Sequence, residues 1–172
     1  MSTLTRHQIN ETTTDFEEIR RFLAGHQIEF TRWEASMPLS DAADQETILK
    51  AYAHEIDPYM LKHGFQSADV ITVSSETPNI EAIRQKFLGE HTHSEYEVRY
   101  FVDGAGTFYF NLGEEVISVL CERGDFIAVP EGYKHWFDLA PQYRVKAIRI
   151  FTGQEGWIAQ YTNSGIDQNY VK

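Results

Sequence analysis

Seven histidines occur in this chain, and three of them fall in two short segments whose residue types could act together, His91-Thr92-His93-Ser94-Glu95-Tyr96-Glu97 and Pro130-Glu131-Gly132-Tyr133-Lys134-His135. His91 and His93 are two apart, so on a strand both imidazoles leave the same face and can reach one ion. Glu97 has the same parity, but a straight strand would carry it roughly 13 Å past His93. Donor atoms lie only about 2 Å from a bound metal, so Ser94-Glu95-Tyr96 must bend the chain back if Glu97 is to join them. His135 would complete the set from a later strand, after a turn that Pro130 and Gly132 favour. Three neutral imidazoles and one carboxylate leave two positions of an octahedral ion open. That set suits divalent Fe, Mn, Co or Ni more than a closed structural zinc site. Glu95 is the rival carboxylate; spacing favours Glu97, and Glu95 is expected to point into solvent.

Elements able to position these groups can be read from the patterning. Thr14 or Asp15 can cap a helix in which Phe16, Ile19, Phe22 and Leu23 share a face, with Gly25 placed to stop it. Gln27 to Trp33 reads as a strand. Ser40 or Asp41 opens a second helix through Ile48, Leu49, Tyr52 and Ile56, which Pro58 interrupts before a short turn ending at Gly64. A third helix follows Pro78 through Ile80 and Ile83. From Phe87 the texture changes to β-branched and aromatic runs separated by turn residues. Six strands are predicted: Val98–Val102, Thr107–Leu112, Val116–Cys121, Phe126–Val129, His135–Leu139 and Val145–Phe151. Turns at this spacing predict a closed or double-sheet β architecture with helices packed outside.

The 172 residues carry 15 Lys+Arg against 26 Asp+Glu, a net charge of −11, with 42% hydrophobic residues, which fits one domain spanning 1–172. Within it, 1–86 is a mixed helix and strand region, 87–161 the β core and 162–172 a C-terminal tail. Such acidity argues against binding to nucleic acid or to anionic membrane surfaces. The single Cys121 cannot form an internal disulfide and is expected to be an inert buried thiol. The start of the chain lacks the layout of a signal peptide, and no apolar run approaches bilayer length, so a cytoplasmic protein is expected. A monomer is expected as well.

The two histidine segments resemble the paired motifs of the cupins. His91, His93, Glu97 and Gly104 match the first motif, and Gly124, Pro130, Gly132 and His135 match the second. Gln85 stands where the first motif usually opens with Gly, and Leu139 where the second ends with Asn; neither is a ligand position. The resemblance implies a mainly β fold, a cupin double-stranded β-helix or jelly-roll barrel with a few peripheral α-helices. The words around the motifs narrow it. Phe87-Leu88-Gly89-Glu90-His91-Thr92-His93, Glu97-Val98-Arg99-Tyr100-Phe101-Val102-Asp103-Gly104-Ala105-Gly106, His135-Trp136-Phe137-Asp138, Ala147-Ile148-Arg149-Ile150-Phe151 and Glu155-Gly156-Trp157-Ile158-Ala159 resemble the acireductone dioxygenases of methionine salvage.

That resemblance, which runs from about Phe87 to Tyr161, implies one divalent metal per chain held by His91, His93, Glu97 and His135. With Fe(II), 1,2-dihydroxy-3-keto-5-methylthiopentene and O2 would give 4-methylthio-2-oxobutanoate and formate. With Ni(II) the off-pathway products would be 3-methylthiopropionate, formate and carbon monoxide, and Co or Mn could substitute. Arg99 has the parity of Glu97, so it should face the same cavity and offer a positive fork to an anionic substrate; a structural salt bridge is its other reading. Phe87, Phe137 and Trp157 occupy the family's pocket-lining positions, although by residue type alone they read as core aromatics. Two alternatives stay open at this level: another metal-dependent cupin oxygenase or isomerase, and a non-enzymatic ligand-binding cupin. A zinc-stabilised structural domain is a third.

Overall fold

A computed structural model describes residues 1–153 and 157–170 of the chain. In chain order its elements are β1 (Thr3–Arg6), β2 (Glu11–Thr13), α1 (Phe16–Gly25), β3 (Glu29–Arg32), α2 (Gln45–Ala51), α3 (Ala53–His63), β4 (Ser67–Val73) and α4 (Ile80–Leu88). There follow β5 (His91–Thr92), β6 (Glu97–Asn111), β7 (Val116–Glu122), β8 (Asp125–Val129), β9 (His135–Asp138), β10 (Val145–Phe151), β11 (Gln160–Tyr161) and a 3₁₀ turn over Ile166–Asn169. Among the described residues the fold is mainly β with four α-helices on the outside, the jelly-roll arrangement expected.

Two sheets share β6. One runs β11-β5-β9-β6-β7-β1-β2, and the other joins β4 to β10, β10 and β8 to β6, and β3 to β8. Strands from before residue 87 therefore enter both sheets. The second sheet alternates strictly along its strands. Val98, Tyr100, Val102, Phe126, Ala128, Ile148 and Ile150 face outward and are buried with Ile48 and Ala51 of α2, Tyr52 between the helices and Ile56 of α3. Phe101, Ile127, Val129, Val145 and Ala147 face inward and meet Phe108, Phe110, Ile117, Val119 and Phe137 of the first sheet. Glu97 and Arg99 have the inward parity, which places two charged groups at one end of an apolar interior.

Sequence patterning misplaced several boundaries. Val98–Val102 and Thr107–Leu112 are one strand, because Asp103-Gly104-Ala105-Gly106 stays in the ladder. Gly104 takes φ +78° opposite Val145 of β10, two residues after the register shift at Val102, and Ala105 N–H donates to Arg144 O at 3.0 Å. A Cβ on Gly104 would stand 2.0 Å from that carbonyl oxygen, so only glycine lets the strand bend from one sheet into the other here. The helical stretch after Ser40 begins at the cap Asp44, whose carboxylate accepts from Thr47 N–H at 2.9 Å. Its break falls at Tyr52, not at Pro58, which lies inside α3. Tyr52 is held there by the Tyr100 hydroxyl, 3.1 Å from its own. Helix α1 is capped by Asp15 as expected, but Gly25 belongs to it and the left-handed residue is Gln27, φ 62°.

Candidate metal centre

His91 and His135 are register partners where β5 meets β9, so their side chains leave one face of the first sheet directly opposite each other. His93 follows two residues after His91. Bends at Ser94 and Glu95 then reverse the chain before β6 starts at Glu97, and Gly132 N–H donates to His93 O at 2.9 Å, tying the two motif segments together. The outcome is that one donor atom from each of His91, His93, Glu97 and His135 lies within 4.8 Å of the other three. All four side chains are buried, at 8% exposure or less.

The spread of four donors is what one ion demands, since donors about 2 Å from a common centre stand roughly 3 to 4 Å apart. Each imidazole is also fixed from behind. Nδ1 of His91 lies 2.7 Å from Gly89 O, Nδ1 of His93 is 3.1 Å from Ile158 O, and Nδ1 of His135 is 2.8 Å from Tyr133 O. A carbonyl can only accept, so each ring making this contact carries a proton on Nδ1, and in the neutral ring Nε2 is left as the donor atom a ligand needs. Glu97 Oε2 lies 2.7 Å from His135 Nε2 and 3.1 Å from His93 Nε2. The residues present thus fit a divalent cation by donor chemistry and by tautomer.

Charge is balanced within the same cluster. Arg99 Nε stands 2.8 Å from Glu97 Oε1, an ion pair whose N–H direction is off the line of a hydrogen bond. Burial alone would raise the Glu97 carboxyl, but Arg99 and the adjacent imidazoles outweigh it and hold the group well below the usual carboxylate range. Burial pushes the His91 imidazole down to about 4, so it stays neutral. His93 moves the other way: burial would lower it, yet the contact with Glu97 raises it.

Of the two readings of Arg99, the salt bridge is the one seen directly, and its partner is Glu97. The guanidinium carbon lies 5.8 Å from the Phe87 ring centre, 5.1 Å from Phe137, 5.3 Å from Trp157 and 5.7 Å from Phe108. The three aromatic residues singled out in the sequence are thus brought together around the arginine, and Phe108 joins them. Phe108 escaped notice because its type and spacing are those of any core residue. Glu95 differs from expectation: it is half-buried, with Oε2 accepting from the Thr152 hydroxyl and Oε1 buried without a partner, because the bend turns it toward the end of β10. Glu155 and Gly156, part of the last resembling segment, lie outside the described residues. Tyr161, whose ring meets His91 edge-on at 5.7 Å, was also missed, since its strand is only two residues long.

Comparison with known proteins agrees with this geometry. Residues 2–159 match the model of the ARD/ARD' family. The chain is 51% identical over 171 residues to the acireductone dioxygenase of Picosynechococcus sp., covering 99% of this chain and 97% of that protein. It is 48% identical to the Aquifex aeolicus acireductone dioxygenase, covering 92% and 87%. Among solved structures, acireductone dioxygenase from Bacillus anthracis, with a cadmium ion in its active centre, superposes with a TM-score of 0.86 at 32% identity, covering 94% and 98% of the two chains.

Proposed function

Because the chain belongs to the ARD/ARD' family, we propose that it is an acireductone dioxygenase that uses Fe(II), held by His91, His93, Glu97 and His135, for the on-pathway reaction. The substrate is 1,2-dihydroxy-3-keto-5-methylthiopentene, which with O2 gives 4-methylthio-2-oxobutanoate and formate. Ni(II) at the same four residues diverts the reaction to 3-methylthiopropionate, formate and carbon monoxide, and Co(II) or Mn(II) can stand in. The observation that carries this reading is the convergence of three Nδ1-anchored imidazoles and one carboxylate within 4.8 Å, beside a buried arginine.

When bound, the divalent ion supplies Lewis acidity and open positions for the oxygens of the enediol. The chain's own residues do the rest. Arg99 presents a fixed positive fork to the enediolate. Phe87, Phe137 and Trp157 form an apolar wall that receives the methylthio tail and keeps bulk water from a readily oxidised anion. The carbonyls of Gly89, Ile158 and Tyr133 hold the imidazoles in register and in tautomer. No helix among the described residues is long and apolar enough to cross a membrane. One chain supplies all four donors, so the site needs no second copy, in keeping with a monomer; elution at the 19.9 kDa of a single chain checks this.

The test is to strip the protein, reload it separately with Fe(II) and Ni(II), and follow acireductone, formate and carbon monoxide under oxygen. Turnover in the Fe(II) form that vanishes in His93→Ala and Glu97→Ala is expected. Full metal loading without turnover by either form overturns the assignment.

A further inference from the structure

We propose that Glu90, which stands outside the four-donor set, is a positioning residue: it fastens the segment from Trp157 to Asp167 over the metal centre, and through it orients His93. The proposal rests on the metal-centre reading, but not on which substrate is turned over.

Glu90 is 2% exposed, so its carboxylate has exchanged water for protein donors. Oε1 accepts from the Thr162 hydroxyl at 2.6 Å and the Ser164 hydroxyl at 2.8 Å, and Oε2 from Asn111 Nδ2 at 2.9 Å. Its backbone joins the same segment, O accepting from Thr162 N–H at 3.0 Å and N–H donating to Asp167 Oδ1 at 3.3 Å. Four of these five bonds reach Thr162 to Asp167. Bonds to a charged acceptor are shorter and stronger than neutral ones, so the carboxylate is the firm point of the clamp.

The segment needs such a point. Gln160 and Tyr161 pair with Thr92 and His91, but a two-residue strand whose side chains are both exposed cannot hold itself in place. Running back from the clamp, the Tyr161 hydroxyl donates to Lys86 O at 2.7 Å and its ring rests against His91. That seat is close: a Cβ on Gly89 would meet the ring at 3.1 Å. Ile158 then offers its carbonyl to His93 Nδ1, and Trp157 stands beside Arg99. Because carbonyls alternate in direction along an extended chain, a slip of one residue would take the acceptor away from His93. A carboxylate one residue before His91 thus decides the setting of a ligand candidate it does not touch.

The experiment replaces both hydroxyl donors while leaving Glu90 and the four donors intact, with Thr162→Val/Ser164→Ala, and uses Co(II) as the probe metal. In the double variant, backbone amides from 158 to 164 should exchange at least about tenfold faster, the protected His93 Nδ1–H resonance should be lost, and Co(II) should bind at least about tenfold more weakly. Amides of β6 and β7 should keep their protection. Thr162→Ser, which retains a donor, should restore exchange and Co(II) affinity. Exchange and affinity unchanged in the double variant, or a loss of protection spread equally over β6 and β7, overturns the proposal. Failure of the wild-type protein to hold Co(II) removes the metal-centre reading and this inference with it; wild-type binding with an indifferent variant removes this inference alone.

Discussion

Gly106→Ala links packing to chemistry through Phe137, without altering a metal donor. A Cβ at Gly106 would lie 2.0 Å from Phe137 Cζ, 2.7 Å from Cε2 and 2.9 Å from Cε1. Carbon atoms settle at about 3.5 to 4.0 Å, so the ring must withdraw by roughly 1.5 Å. It has little room, being 2% exposed, with the Phe108 ring centre 4.8 Å away and the Arg99 guanidinium 5.1 Å away. Overpacking of this kind costs about 1 to 3 kcal/mol. The loss of glycine's freedom in the unfolded chain offsets about 0.4 to 1 kcal/mol, and mid-range values, about 2 less about 0.7, leave a net cost of about 1.3 kcal/mol. For a chain of this size that lowers Tm by about 3 to 5 °C. Displacement of the wall beside Arg99 should cut kcat/KM by about ten- to a hundredfold with metal content unchanged, since no donor is touched. Thermal unfolding and steady-state assays of Gly106→Ala, Phe137→Leu and the double variant check this, the double being more stable than additivity requires by about 1 kcal/mol. A Tm unchanged within about 1 °C, or strict additivity, would refute the steric argument.

On acidification His93 should take a competing proton before His91, because Glu97 raises His93 against the pull of burial, whereas His91, pushed down to about 4 by burial, stays neutral. Metal affinity then falls about tenfold per pH unit below the His93 pKa. In metal-free protein the raised His93 pKa adds stability at low pH that is lost as pH rises through it, so the proton that displaces metal does not itself unfold the chain. Metal analysis after dialysis at pH 7 and pH 5 decides the matter, stoichiometric retention at pH 5 counting against a three-histidine site. Arg84 Nε and Nη2 hold both oxygens of buried Asp138, at 2.8 and 3.1 Å, joining α4 to β9. Arg84→Ala should therefore cost about 3 kcal/mol by taking the cation from a buried carboxylate that Ala140 N–H, at 2.9 Å, satisfies only in part, and calorimetry should show Tm lower by about 6 to 12 °C. Cys121, fully buried with its thiol raised well above the usual range by burial, should react with an aqueous thiol reagent only when the protein unfolds.

Much of the centre was legible because it is written locally. Parity put His91 with His93 and Arg99 with Glu97, and the reach of a metal bond required the bend that the chain makes at Ser94 and Glu95. Strand identity after Phe87 followed from β-branched and aromatic runs, and most strand ends fall within a residue or two of expectation. Where the reading erred, a local signal was outvoted by a distant partner. Asp103-Gly104-Ala105-Gly106 has the composition of a turn, yet Arg144 O and β10 keep it extended; Pro58 looks like a stop, yet the break is set at Tyr52 by Tyr100. The carbonyls of Gly89, Ile158 and Tyr133 that set the three tautomers could not have been found, because every residue carries a carbonyl and only the fold decides which one meets a ring. Residue type and spacing therefore determined what chemistry this chain could do. Which backbone atoms and which tail residues hold that chemistry still was decided by tertiary contacts between segments about 70 residues apart, for which no local pattern exists.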